Sequence, residues 1–275
     1  MTIKEAVDLL SDGGVCDALG DARQIFKRLG GLKDYELFSL SASSERKEVR
    51  DAVLRRSRRE PLQYIFGEVG FYKETYKVTP ECLIPREDTE ILVDFAVKNI
   101  PCDKTFIDLC TGSGCIALSV LNNTENTRAI MVDISDGALS VAKENSERLG
   151  LSERCSLLLA DATEPIECGK VYAVLSNPPY VSDSAYENLE KEIYFEPKPA
   201  FVGGIDGADF YRKITPLYRN LIDENGFIAY EIGYDQGELL KKIAEKNKMS
   251  AEILKDLSGN DRVAVLRITY TEKII

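Results

Sequence analysis

The 275-residue chain contains no histidine. That absence removes the usual base of a hydrolytic triad and the commonest zinc ligand at once. Cysteine is present seven times, an odd number, but never as a CxxC pair, so ribbon-type zinc sites are also excluded. Cys110 and Cys115 fall close to the glycine loop described below, yet neither has a histidine to activate it, and both read as small core or loop residues. Long apolar runs are missing too: stretches such as Val171 to Leu175 are strand-sized, and Met1-Thr2-Ile3-Lys4 lacks the layout of a signal peptide. With 44% hydrophobic and 29% charged residues the composition is that of a globular protein. The expectation is a cytoplasmic protein with no membrane partner and no metal.

What is present is unevenly charged. Residues 1–60 carry 12 Lys and Arg against 11 Asp and Glu, whereas residues 61–275 carry 23 against 35, so the net −11 sits on the main body. An acidic body disfavours a nonspecific grip on nucleic acid. The exception is Arg46 to Arg59, with Arg46, Lys47, Arg50, Arg55, Arg56, Arg58 and Arg59. It reads either as a solvated helix face or as a docking surface for an acidic partner.

The first sixty residues show helical spacing, with Ile3, Ala6, Val7 and Leu10, then Ala18, Ala22, Ile25, Phe26 and Leu29, then Val49, Ala52 and Val53. From Gln63 to Val78, aromatic and β-branched residues around Gly67 and Gly70 predict a hairpin joining two domains. Beyond Glu87, apolar strands alternate with helical stretches. The strands are predicted at Thr105–Leu109, Ala129–Val132, Ser156–Leu159, Val171–Leu175, Phe227–Glu231, Ala251–Leu254 and Val263–Thr269, and the helices at 88–98, 114–121, 136–149, 208–222 and 236–247. Such alternation implies an α/β fold with a parallel sheet covered on both faces, whose ligands bind at the carboxyl ends of the strands. The domains are expected at 1–60, 61–86 (the hairpin linker) and 87–275.

The first of those strand ends reads Asp108-Leu109-Cys110-Thr111-Gly112-Ser113-Gly114, a turn that brings backbone amides close to a ligand. Gly112, Gly114 and Ala117 satisfy a dinucleotide-binding pattern, so a dehydrogenase stays open at this point. Asp133, ending the second strand, suits a ribose diol, which nicotinamide and sulfonium cofactors share. Asp161 and Ala162 follow the third strand, where an adenine edge or a plain loop fits equally.

Ser176-Asn177-Pro178-Pro179-Tyr180, after the fourth strand, makes the choice. Two prolines fix the backbone and remove two donors, leaving the Asn177 side-chain oxygen and the Pro178 carbonyl to accept the hydrogens of an NH2 group while the Tyr180 ring stacks on its plane. Held so, a poorly nucleophilic amide or exocyclic amine nitrogen is oriented for methyl transfer from a sulfonium. No strong base is needed, since the methylated nitrogen is acidic enough to lose its proton to water.

At these residues the chain resembles the release-factor glutamine N5-methyltransferases (HemK/PrmC family). The likeness extends to Arg59-Glu60-Pro61-Leu62-Gln63-Tyr64-Ile65, Leu83 to Glu90, Asp133-Ile134-Ser135, Glu196-Pro197, Gly203-Gly204, Glu231-Ile232-Gly233 and Arg262. The resemblance implies a helical N-terminal substrate-recognition domain and a seven-stranded Rossmann-like class I methyltransferase sheet with its last strand antiparallel. It further implies that S-adenosyl-L-methionine is held by Cys110, Thr111, Gly112, Ser113, Gly114, Asp133, Asp161, Ala162 and Asn177, and leaves as S-adenosyl-L-homocysteine. The substrate implied is the glutamine of the Gly-Gly-Gln loop in class I peptide chain release factors, held by Asn177, Pro178, Pro179 and Tyr180. Cys110 departs from the family's usual glycine, and Ala162 from the tryptophan of some members. The alternative, a nucleic-acid adenine N6-methyltransferase, uses the same Asn-Pro-Pro-Tyr chemistry but needs a basic recognition surface, and no direct nucleic-acid substrate is expected.

Overall fold

A computed structural model describes residues 1–269; the last residues of the expected 87–275 domain, 270–275, lie outside the described residues. The chain forms two compact units: Met1–Gly67 with Glu190–Phe195, and Glu68–Leu189 with the chain from Glu196 onward.

The first unit is helical. Helix α1 (Ile3–Asp12) starts in a capping box, with the Thr2 hydroxyl accepting from the Glu5 amide at 3.2 Å and the Glu5 carboxylate accepting from the Thr2 amide at 2.8 Å. Helix α2 (Ala18–Arg28) is capped by Asp17, and α3 (Lys47–Ser57) and the short α4 (Leu62–Phe66) complete the set. The helically spaced residues Ile3, Leu10, Ile25, Phe26, Val49 and Val53 are fully buried together, each contributing about 1.5–3 kcal/mol of apolar burial. Three of the seven basic residues of the stretch, Arg55, Arg56 and Arg59, are engaged in internal ion pairs. Arg56 meets Asp21 at 2.6 Å and Glu192 at 2.9 Å, Arg59 grips Glu192 at 2.5 Å, and Arg55 pairs with Glu60.

The hairpin is shorter than its aromatic texture predicts. Residues 62–66 are helical, following Pro61 at the N-cap, with Leu62 and Tyr64 buried, and Gly67 ends the turn at φ 75°. Strands β1 (Glu68–Phe71) and β2 (Glu74–Lys77) then pair antiparallel.

The remaining elements are α5 (Glu90–Asn99), β3 (Thr105–Leu109), α6 (Cys115–Asn122), β4 (Arg128–Asp133), α7 (Asp136–Arg148), β5 (Cys155–Leu159), β6 (Val171–Ser176), α8 (Asp183–Tyr186), α9 (Asp209–Arg219), β7 (Ile222–Glu231), α10 (Gly237–Lys246), β8 (Met249–Lys255) and β9 (Asp261–Ile268). The hairpin is fastened to this unit: the Tyr76 and Ser119 hydroxyls lie 2.6 Å apart, and the Lys77 amide donates to Asn145 at 2.7 Å. Seven strands form one sheet in the order β5-β4-β3-β6-β7-β9-β8. Among the described strands of this sheet, β9 runs opposite to the other six, pairing antiparallel with both β7 and β8, so the sheet is mixed rather than wholly parallel. Strand β7 begins at Ile222, where helical spacing was expected to continue, and its pairing with β6 shifts register between Val171 and Ala173. Apolar layers cover both faces, one built on Phe106, Leu118 and Phe227 and the other on Ile107, Tyr211 and Ile228. Among the described residues no helix is long and apolar enough to cross a membrane.

Register positions the site. Leu109 pairs with both Val132 and Ser176, so Cys110, Asp133 and Asn177 leave the sheet side by side. Ser176 pairs in turn with Tyr230, which sets Glu231 level with Asn177.

Candidate active site

A cavity of about 570 Å³ opens at these strand ends. Of the expected site residues, Cys110, Thr111, Gly112, Ser113, Asp133, Asp161, Ala162, Asn177 and Pro179 line it, whereas Gly114, Pro178 and Tyr180 do not reach its wall.

The loop after β3 is rigidly built. Gly114 adopts φ +82°, and a Cβ there would meet the Met131 methyl at 2.6 Å, so the residue must be small for α6 to start where it does. Cys110 is left-handed as well, at φ 57°, a conformation unfavourable for a side chain and natural for the glycine it replaces. Burial pushes the Cys110 and Cys115 thiols well up, so neither is a ready nucleophile. Beneath the loop, Asp108 is fully buried and accepts from the Thr111 hydroxyl at 2.6 Å and the Ala117 amide at 3.2 Å. Burial, only partly offset by those bonds, pushes its carboxyl up to about 7.

Asp133 clamps two loops: one carboxylate oxygen accepts from the Gly112 amide at 2.8 Å and the other from the Ser135 amide at 3.0 Å. Each oxygen keeps a lone pair for a ligand on the cavity side. Asp161 is held by Thr163, whose amide and hydroxyl both donate to it at 2.8 Å. The Ser113 hydroxyl is buried without a protein partner, although Ser113 lines the cavity.

The Asn177–Tyr180 run is fixed from behind by residues 201–207. The Val181 amide donates to Phe201 and the Gly203 amide to Val181, each at 2.8 Å, and a Cβ on Gly203 would sit 2.4 Å from the Pro179 carbonyl. Asn177 donates through Nδ2 to the Thr89 hydroxyl at 3.3 Å. The Tyr180 hydroxyl donates to Glu231 at 3.1 Å. Across the cavity, buried Glu196 accepts from the Ile84 amide at 2.8 Å and pairs with Arg86, fixing the segment that carries Cys82 and Pro85. The sequence pattern assigns no site role to Thr89, Asp108, Glu196 or Glu231. Glu231 and Glu196 each sit in a recognised string, Glu231-Ile232-Gly233 and Glu196-Pro197, and their burial as carboxylates was the missing clue.

Residues 2–67 match the family model described as the PrmC N-terminal domain, and residues 87–196 match the methyltransferase small domain. The chain is 40% identical over 215 residues to a release factor glutamine methyltransferase of Moorella thermoacetica, spanning 77% of this chain and 76% of that one. It is 35% identical over 269 residues to a protein of the same name from Caulobacter vibrioides, spanning 94% and 93%. A solved structure, the ribosomal protein L11 methylase of Lactobacillus delbrueckii subsp. bulgaricus, superposes with a TM-score of 0.52 at 17% identity, covering 70% of this chain and 84% of that one. That likeness bears on the fold alone.

Proposed function

Since the chain belongs to the release factor glutamine methyltransferases, we propose that it methylates the side-chain amide nitrogen of the glutamine in the Gly-Gly-Gln loop of a class I release factor, with S-adenosyl-L-methionine as donor. The observation that carries this reading is the shared register of β3, β4 and β6, which delivers the glycine loop, Asp133 and Asn177 to one cavity.

The residues present fit the cofactor. Asp133 offers lone pairs to a ribose diol, and Asp161 and Ala162 suit the adenine side. When bound, S-adenosyl-L-methionine supplies a methyl group already activated on a sulfonium and departs as the neutral thioether S-adenosyl-L-homocysteine. The protein's part is to hold the acceptor. The Asn177 side-chain oxygen on the cavity wall takes one amide hydrogen and the Pro178 carbonyl, set back from that wall, takes the other, turning the nitrogen's lone pair toward the methyl group. Two fixed acceptors also favour the positive charge that develops on nitrogen, and the methylated amide then releases one proton to water. A chain without histidine is sufficient for that chemistry.

The acidic body supports a protein loop over a phosphate backbone as substrate. A methyl-transfer assay with radiolabelled donor tests the reading. Incorporation into release factor, lost when the loop glutamine is changed to alanine and absent with adenine-containing DNA, is the expected result. Labelling of DNA with the release factor untouched would replace it with the adenine-methylating alternative.

A further inference from the structure

Asn177 serves as an acceptor only when its carboxamide is held one way round, and what holds it lies outside the Asn-Pro-Pro-Tyr run. Glu231, 1% exposed at the end of β7, has both oxygens engaged: the Thr89 hydroxyl donates to one at 2.5 Å and the Tyr180 hydroxyl to the other at 3.1 Å. A carboxylate has no proton to give, so the single hydroxyl proton of Thr89 is committed to Glu231. The Thr89 oxygen can then only accept, and Asn177 faces it with Nδ2 at 3.3 Å. The carboxamide oxygen is thereby turned away from Thr89 and left for the substrate.

We propose that Glu231, acting through Thr89, is a positioning residue that fixes the polarity of the Asn177 carboxamide. The proposal rests on the reading of this cavity as an amide-methylating site. A reversed carboxamide would set an NH2 group against the substrate's NH2 group, replacing an attraction with a repulsion. The same chain of bonds carries a titration. Protonated Glu231 would donate to Thr89, freeing the threonine proton for the Asn177 oxygen and permitting the reversal. The charged and titratable groups around Glu231 are Tyr180 after β6, Tyr211 on α9, Arg262 on β9 with Asp88 before α5, and Cys115 on α6. Burial raises the Glu231 carboxyl above the ordinary carboxylate range; the Thr89 and Tyr180 hydroxyls and Arg262 favour the charged form, and Asp88 opposes it.

The test is a double-mutant cycle on the full chain, exploiting the fact that an aspartate at 177 has oxygen at both ends and no polarity to fix. Single-turnover methyl transfer to release factor is measured for Thr89→Val, Thr89→Ser and Glu231→Ala, each with Asn177 and with Asn177→Asp, and S-adenosyl-L-homocysteine binding is followed by calorimetry. With Asn177 in place, Thr89→Val and Glu231→Ala should lower kcat at least about tenfold. Cofactor affinity and KM should change less than about threefold, and Thr89→Ser should restore most of the rate. In the Asn177→Asp background the same two substitutions should cost less than about threefold. Equal losses in both backgrounds, or wild-type kcat for Thr89→Val with Asn177, would overturn the proposal. If the valine variant does not fold, Thr89→Ala takes its place in the same cycle. Failure of the wild-type chain to label release factor would instead defeat the functional reading.

Discussion

The Asp133 carboxylate accepts the Gly112 amide at 2.8 Å, so the acid that ends β4 also shapes the loop that follows β3. Replacing it therefore has two effects. Asp133→Ala is expected to weaken S-adenosyl-L-methionine binding by about 1.5–3 kcal/mol through loss of a charge-assisted acceptor. Asp133→Asn, which keeps one acceptor oxygen, is expected to lose less. Calorimetric titration of both variants checks the order, and unchanged affinity in the alanine variant would remove Asp133 from the cofactor site.

Asn177→Ala should separate catalysis from binding. Transfer is expected to fall about a hundredfold or more, the size of effect that follows loss of one preorganised polar group, while cofactor affinity stays near wild type. Rapid-quench rates beside calorimetry provide the comparison. Near-normal turnover would exclude Asn177 as the acceptor of the substrate amide.

Tyr180→Phe carries a cost that the motif alone does not reveal. If the ring only stacked on the substrate, its hydroxyl would be dispensable, but that hydroxyl donates to the fully buried Glu231. Removing it leaves a buried carboxylate one donor short, and unfolding in urea should show a loss of about 1–3 kcal/mol. Stability within about 0.5 kcal/mol of wild type would mean that the hydroxyl contributes nothing.

Charge reversals in the basic stretch should divide by position. Arg56→Glu places a carboxylate between Asp21 and Glu192 and is expected to destabilise the helical unit by about 3–5 kcal/mol. Exposed Arg58, changed to glutamate, should shift stability by less than about 0.5 kcal/mol. Denaturant curves for the two variants decide this. Docking to an acidic partner is then properly tested at Arg50 and Arg58 through the salt dependence of association, because reversing Arg56 disturbs the fold.

Asp108 should leave a signature in the pH dependence of stability. Its carboxyl is raised by burial from 3.8 to about 7, so across that window the folded chain holds a proton that the unfolded chain has lost. Its contribution to stability therefore declines as pH rises from about 4 to about 7, by at most about 1.4 kcal/mol per pH unit, and levels off above. Asp108→Asn cannot titrate. The stability of wild type minus that of the variant, from urea curves at several pH values, should fall over this window, and a constant difference would show that Asp108 is ionised throughout.

Much of this architecture was legible because the sheet strands are short, apolar and bounded. Thr105–Leu109 was read to the residue, and the other six sheet strands were located, because buried strands need near-continuous apolar residues. The start of β7 was missed, since Ile222 follows directly on the helical spacing of α9 and the polar residues Asp223 to Asn225 carry no strand pattern. Residues 62–66 were misread because Tyr64, Ile65 and Phe66 suit a strand by composition, although they form a helical turn after Pro61. At the site, Cys110 to Ser113, Asp133 and Asn177 were visible as residues that end strands. Thr89 and Glu231 were not, because their significance lies in a hydrogen-bond chain between residues 142 positions apart.

The membership of Glu190–Phe195 in the helical unit has a consequence for modularity. A gene fragment encoding residues 1–67 is contiguous and matches a recognised domain, but it is not a closed structure, because Arg56 and Arg59 take their Glu192 partner from a segment more than a hundred residues downstream. Excised at Gly67, the helices would keep their apolar core and lose the carboxylate that bridges two guanidinium groups, Arg56 retaining only Asp21. A chimera that exchanges this helical module between relatives must therefore transplant two pieces of chain, and a swap of the N-terminal piece alone takes the residue opposite its arginines from the other parent.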